Sequence, residues 1–250
     1  MSPLAPRDPW ERLAALTPAR VALGRAGAGL PTRELLRFEL AHAQARDAVE
    51  QPLDVASLRA ELAAAGLPVL HAASRAADRR VYLQRPDLGR RLDAASAREL
   101  AAPGGTAGFD LAIVVADGLS ALAVQRHAAP AVAALLPLLA GLRIAPLVLA
   151  TQARVALADE VGALLGARLA LILLGERPGL SSPDSLGAYL TYAPRVGRRD
   201  AERNCVSNIR PAGLPPDRAA RKLAWLIREA LGRELTGVRL HDESDLALLP

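Results

Sequence analysis

The hydrophobic pattern changes character near residue 67. Before it, apolar residues recur at helical spacing between stretches rich in Pro, Gly and Ala. Pro31-Thr32 opens a helix that runs to about Val49, with Thr32 as the expected N-cap and Glu34 in the first turn. Leu36, Leu40 and Ala43 stand at i, i+4 and i+7 and therefore share one face. A second helix over about 55–65 closes at Gly66. Trp10 and Leu13 suit a short helix nearer the N-terminus, and Gly24–Gly29 a flexible loop. Residues 1–66 are thus expected to form a small helical region, and residues 67–250 an α/β domain.

Beyond residue 67 apolar runs alternate with helical stretches. Val69–Ala72 and Arg80–Leu83 predict short strands, and 94–102 a helix that ends at Pro103-Gly104-Gly105. Leu111–Val115 predicts a buried strand leaving at Asp117-Gly118, then one helix, then a second over about 130–141. Ile144–Ala150 is the next strand, and 157–165 a helix with Leu157, Val161, Leu164 and Leu165 on one face. Leu169–Leu174 gives the strongest strand signal, and 187–193 and 204–209 shorter ones. Pro215-Pro216 opens a final helix that presents Leu223, Leu226, Ile227, Ala230 and Leu231 to a core. Continuous apolar strands between helices predict a doubly wound, mostly parallel sheet covered on both faces. Such sheets take ligands beyond the carboxyl ends of their strands. Three such ends are available: Asp117-Gly118, Thr151 to Val155, and Gly175-Glu176-Arg177.

Composition narrows this picture. The chain has 250 residues and is 51% hydrophobic, which excludes a disordered polymer and allows a sizeable core. Aromatics are only 3%, so that core is built from Leu, Val, Ile and Ala. The net charge is +5, and thirty of the 31 basic residues are arginine, which fits coding bias better than a binding surface. Arg pairs at 79–80, 90–91 and 198–199 lack interleaved aromatics, so they suit a solvated or subunit-facing surface better than nucleic acid. The single Cys205 forms no internal disulfide and fits a reducing, cytoplasmic setting. Met1-Ser-Pro-Leu-Ala-Pro-Arg-Asp8 lacks the pattern of a signal peptide. The apolar runs Ala128–Leu142 and Leu169–Gly175 fall short of the roughly 20 residues that span a bilayer.

Most familiar catalytic patterns are missing. Gly24–Gly29 reads G-x-x-G-x-G, the reverse of the dinucleotide fingerprint, and no confident strand precedes it. Gly104-Gly105-Thr-Ala-Gly108 precedes a strand, the wrong side for a phosphate loop, and no G-x-x-x-x-G-K-[ST] exists. Asp117-Gly118-Leu119-Ser120 is half of a nucleophile elbow, but position 122 is Leu, so Ser120 is read as a helix N-cap. His42, His71, His127 and His241 are scattered, and none has zinc-site spacing. No histidine sits in D-x-H-x-x-G, the pattern by which some cobalamin proteins replace the cofactor's own base. Glu176 and Arg177 leave the best strand, where they suit either a polar ligand or an exposed ion pair in a turn. Cys205 alone reads as a small buried hydrophobe.

Seven stretches together resemble one family. They are Gly24-Arg-Ala-Gly27 with Thr32–Val49, Tyr82-Leu-Gln-Arg-Pro-Asp-Leu-Gly-Arg-Arg-Leu92, Asp117-Gly-Leu-Ser120, Arg154-Val155, Leu173-Leu-Gly-Glu-Arg-Pro-Gly-Leu180, Tyr192-Ala-Pro-Arg195 and Asn204-Cys-Val-Ser-Asn-Ile209. Their order and content resemble the small (light) subunit of ethanolamine ammonia-lyase from about residue 20 onward. The resemblance implies a Rossmann-like domain that holds adenosylcobalamin at the interface with a large subunit, the two being present in equal number. The large subunit then carries the radical conversion of ethanolamine to acetaldehyde and ammonia. It also implies that Val155, Glu176 and Cys205 contact the cofactor: Glu176 through hydrogen bonds from corrin amides, Val155 and Cys205 through shape and apolar contact. None of the three is implied to be catalytic or a metal ligand. Some family members carry a longer N-terminal extension linked to packaging in a bacterial microcompartment. Here about 20 residues precede the matching region, with Trp10–Leu16 as a short amphipathic candidate for that role.

Two other readings stand beside this one. A self-sufficient α/β enzyme acting on a nucleotide or acyl substrate through Ser120 or Cys205 needs a nearby base, and no sequence-local histidine supplies it. An Arg-rich nucleic-acid module predicts steeply salt-dependent binding, against which charge balance and aromatic poverty weigh.

Overall fold

The computed structural model describes residues 10–17, 19–101 and 108–245. The readings placed on Met1–Asp8 and on the Pro103-Gly104-Gly105 helix stop lie outside those residues. Six strands form one sheet: β1 (Val69–Ala73), β2 (Phe109–Ala116), β3 (Leu147–Thr151), β4 (Ala167–Gly175), β5 (Leu186–Tyr192) and β6 (Arg203–Ile209). Among the described residues the helices are α1 (Glu11–Ala14), α2 (Thr32–Glu50), α3 (Val55–Ala63), α4 (Arg79–Gln84), α5 (Ala94–Ala101), α6 (Ala121–Leu135), α7 (Leu157–Leu164) and α8 (Pro216–Arg233).

The sheet order is β1-β3-β2-β4-β5-β6. The first four strands are parallel; β5 pairs antiparallel with β4, and β6 antiparallel with β5. The sheet is therefore mixed, which corrects the expectation of a mostly parallel one. Apolar content alone does not distinguish these strands. The link from β4 to β5 is a short turn segment without a crossover helix, and such a link returns the chain antiparallel.

Period-two alternation divides each central strand between two cores. Leu111, Ile113 and Val115 of β2 join α3, α6 and α8 on one face, while Ala112, Val114 and Ala116 join α5 and α7 on the other. Leu58 and Leu62 carry α3 into the first of these cores. In α8, Leu223, Leu226, Ile227 and Ala230 are buried as their spacing predicts.

Three local expectations are revised. Arg80–Leu83 is helical, not extended: the Asp78 carboxylate accepts from Val81 N at 2.8 Å and so caps α4, which turns Tyr82 inward. Thr32 is the first residue of α2 rather than its cap, which is Pro31. The expected pair of helices around residue 130 is one helix, α6, that runs through Pro130 into a 3-10 turn at Leu136–Leu139. Ala121–Leu139 thus forms a helix long and apolar enough to cross a bilayer by length and composition. Much of its apolar side packs on the sheet, through Val124, Ala128, Val132 and Leu135. The face that Leu36 and Leu40 share on α2 is turned to solvent, and the buried positions of that helix are Ala41 and Ala48.

Candidate functional site at the carboxyl edge of the sheet

The parallel strands end on one edge, and Asp117 knits that edge together. Its Oδ2 accepts from Gln152 N at 2.9 Å and its Oδ1 from Ala153 N at 3.1 Å, which ties the end of β2 to the end of β3. Burial pushes this carboxyl up, against the opposing pull of the two amides and of Arg79, 3.8 Å away. Gly118 then passes Gly175 so closely that a Cβ on either would strike backbone. Its φ of +56° is also the left-handed region that favours glycine. Leu119 N donates to Gly175 O at 2.8 Å, so β2 and β4 end against each other. Ser120 caps α6 by accepting from Ala123 N at 3.2 Å, and its hydroxyl donates to Pro183 O at 2.8 Å. Fully buried and doubly bonded, it is a structural cap as expected and not a free nucleophile.

Glu176 turns out from the end of β4. Its Oε2 accepts from the Ser185 hydroxyl at 2.5 Å and from Asn208 N at 3.4 Å, while Oε1 lies over Gly187. A side chain at 187 would collide with it, so the glycine makes room for the carboxylate. Val155 follows β3 and is half-buried. Cys205 lies within β6 directly across from Tyr189, level with Ile172 of β4, and not at the strand end. It is exposed, which corrects its reading as a buried hydrophobe. The reason is geometric: β6 is an edge strand, and Cys205 stands on the side opposite Val206, which faces α8.

The three residues converge on two adjoining hollows. One, of about 360 Å³, is lined by Arg90, Arg154, Val155, Tyr189, Arg203 and Cys205 among others. The second, of about 380 Å³, is lined by residues that include Tyr82, Arg154, Val155, Glu176, Arg177 and Tyr189. Arg154, Val155 and Tyr189 belong to both, so the hollows form one continuous surface. A buried ion pair forms its floor on the β6 side: Arg203 Nη1 and Nη2 meet Asp159 Oδ1 and Oδ2 at 2.6 Å each, and Thr191 Oγ1 lies 2.8 Å from Nη1.

The groups on this surface are equipped for binding. Desolvation pushes the Cys205 thiol up, and the nearby Glu176 charge adds to this against a hydrogen bond from Tyr189. A thiol held protonated is a weak nucleophile. Desolvation also raises the Tyr189 phenol, and no lining residue of either hollow is a histidine. What remains is two carboxylates (Glu176 and Asp200), several guanidinium groups, two tyrosines and apolar patches, a set suited to a large ligand with a hydrogen-bonding rim. Sequence reasoning missed Tyr189 and Tyr82 at this site. Strand register brings Tyr189 across from Cys205, and no local motif encodes that pairing. A larger hollow of about 570 Å³ lies at the opposite edge, by Tyr192, Arg195, Arg199 and Arg239, away from all three residues.

Comparison with known proteins gives this edge a context. The family model "Ethanolamine ammonia-lyase light chain (EutC)" matches residues 7–241. An ethanolamine ammonia-lyase small subunit from Bradyrhizobium diazoefficiens is 60% identical over 97% of this chain and 94% of its own length. Small subunits from Xanthomonas campestris pv. campestris and Azotobacter vinelandii are 58% and 59% identical, each over 98% of this chain and over 91% and 92% of their own lengths. With a match that runs through every strand and through Val155, Glu176 and Cys205, the chain belongs to the ethanolamine ammonia-lyase light-chain family.

Proposed function

We propose that this chain is the small subunit of an adenosylcobalamin-dependent ethanolamine ammonia-lyase and that its sheet edge holds the cofactor against a large subunit. The observation that carries the proposal is the convergence of Val155, Glu176 and Cys205, from three separate elements, on one continuous pair of hollows. The residues fit the group. Glu176 has Oε2 engaged by Ser185 and Asn208, which orients Oε1 as an acceptor for amide N–H donors. Val155 and the neutral Cys205 offer apolar contact beside it. When bound, adenosylcobalamin supplies a cobalt–carbon bond whose homolysis starts the radical conversion of ethanolamine into acetaldehyde and ammonia.

This chain's own residues bind and orient, and the substrate is turned over in the large subunit. The two subunits occur in equal number. The protein is cytoplasmic, and the exposed Trp10, Leu13 and Leu16 around α1 are the candidate segment for packaging into a microcompartment. The deciding experiment is ammonia release from ethanolamine and adenosylcobalamin by a purified large subunit, with and without this chain. Activity that requires both chains supports the proposal. Equal activity of the large subunit alone, or failure of the two to co-purify, overturns it.

A further inference from the structure

The segment Tyr82–Arg91 contributes no residue to the trio above, yet it is built around one side chain of the hollows. Arg154 is the residue just before Val155 and lines both of them. Its guanidinium lies 4.1 Å from the ring centroid of Tyr82, and its Nη2 donates to Tyr82 O at 3.1 Å. Tyr82 is itself fully buried and donates from its hydroxyl to Ala153 O at 3.2 Å, so the platform is fixed at both ends. Arg154 N donates to Gly89 O at 2.7 Å, and a Cβ at Gly89 would come within 2.9 Å of Arg154 Cγ. The segment's end is pinned as well: Arg91 Nε and Nη2 reach the two Glu160 carboxylate oxygens at 2.9 and 3.1 Å.

So much support leaves one thing unmet. Arg154 Nε is buried and donates to no acceptor among the described residues, and no carboxylate among them pairs with this guanidinium. A buried N–H without an acceptor is unfavourable by itself. A guanidinium stacked on a buried ring, with no carboxylate in ion-pair contact, is preorganised for an acceptor brought by a ligand. We propose that Arg154 is a cofactor-binding residue that donates to an oxygen acceptor on the cobalamin periphery, with Tyr82 as the positioning residue that aims it. This inference rests on the cobalamin-subunit reading above. Two peripheral oxygens have the required chemistry, the phosphate of the nucleotide loop and the carbonyls of the corrin amides.

The test is a spectrophotometric titration of the assembled two-subunit complex with cobalamin and, in parallel, with cobinamide, which keeps the amides but lacks the nucleotide loop. Arg154→Gln is expected to weaken cobalamin binding about 10- to 100-fold, the loss of one hydrogen bond to a charged donor. Tyr82→Leu is expected to weaken it in the same direction and to add nothing in the Arg154→Gln background. Tyr82→Phe, which keeps the ring, is expected to bind as the parent does. This nesting separates aim from fold stability, which thermal unfolding of each complex reports. Weakened cobalamin binding with cobinamide affinity unchanged assigns the phosphate, and weakening for both assigns the amides. Parent-like affinity of Arg154→Gln for both ligands overturns the inference and leaves the subunit reading standing. Failure of the parent complex to bind cobalamin overturns the subunit reading itself.

Discussion

Glu176 shows what a single side chain contributes here. Its carboxylate is already held by Ser185 and Asn208, so little rotamer freedom is lost when a ligand arrives. Glu176→Ala is therefore expected to weaken cobalamin binding by the two-subunit complex by roughly tenfold or more, with Glu176→Gln in between because it keeps one acceptor. Affinity measured by absorbance titration decides this, and parent-like binding of Glu176→Ala removes the assigned role. The buried Arg203–Asp159 pair acts on stability instead. Asp159→Asn removes the buried counter-charge and leaves Arg203 only the exposed Asp200 carboxylate, 3.5 Å from Nε, and a loss of about 3 kcal/mol is expected in denaturant unfolding. Glu176 was legible in the sequence because it leaves the most apolar strand at a turn. The exposure of Cys205 was not, because it depends on β6 being an edge strand.

Among the elements, the contact between the ends of β2 and β4 is the least tolerant. Gly118→Ala meets both a left-handed backbone and the backbone of Gly175, and is expected to lower stability by more than about 2 kcal/mol in thermal or denaturant unfolding. α7 is tied to the Tyr82–Arg91 segment through Glu160. Desolvation alone raises that carboxyl, but the Arg91 guanidinium and the Leu92 amide outweigh it and hold it below the ordinary glutamate value. A depressed carboxyl contributes stability above its unfolded pKa and loses it as pH falls through its folded pKa. The parent is thus expected to be more stable than Glu160→Gln at neutral pH, and the gap to close as pH drops below about 4.5. A gap that stays constant with pH sinks this account. Element order was largely legible because buried strands and amphipathic helices differ in period. Arg80–Leu83 was not: four residues fit either period, and the Asp78 cap decided between them.

At the scale of the whole molecule the least resolved tension is α2. Nineteen residues long, it buries only Ala41 and Ala48, while Leu36 and Leu40 on one flank are 58% and 59% exposed, and Leu35 and Phe38 are exposed on other sides of the helix. The sequence gives these residues helical spacing, and spacing alone cannot say whether the core or another chain receives them. Two large leucines exposed one turn apart are a candidate contact for another chain. The relatives are named small subunits, and a small subunit has a larger partner, so under the proposed function the large subunit is the occupant to test here. Leu36→Glu with Leu40→Glu is expected to leave the thermal unfolding of the isolated chain within about 1 kcal/mol of the parent, because neither side chain is in its core. The same double variant is expected to fail to co-purify with the large subunit and to give no ammonia release in the mixed assay. Parent-like assembly would remove α2 from the interface. Loss of self-association in the isolated chain, with assembly intact, would assign the two leucines to a second copy instead.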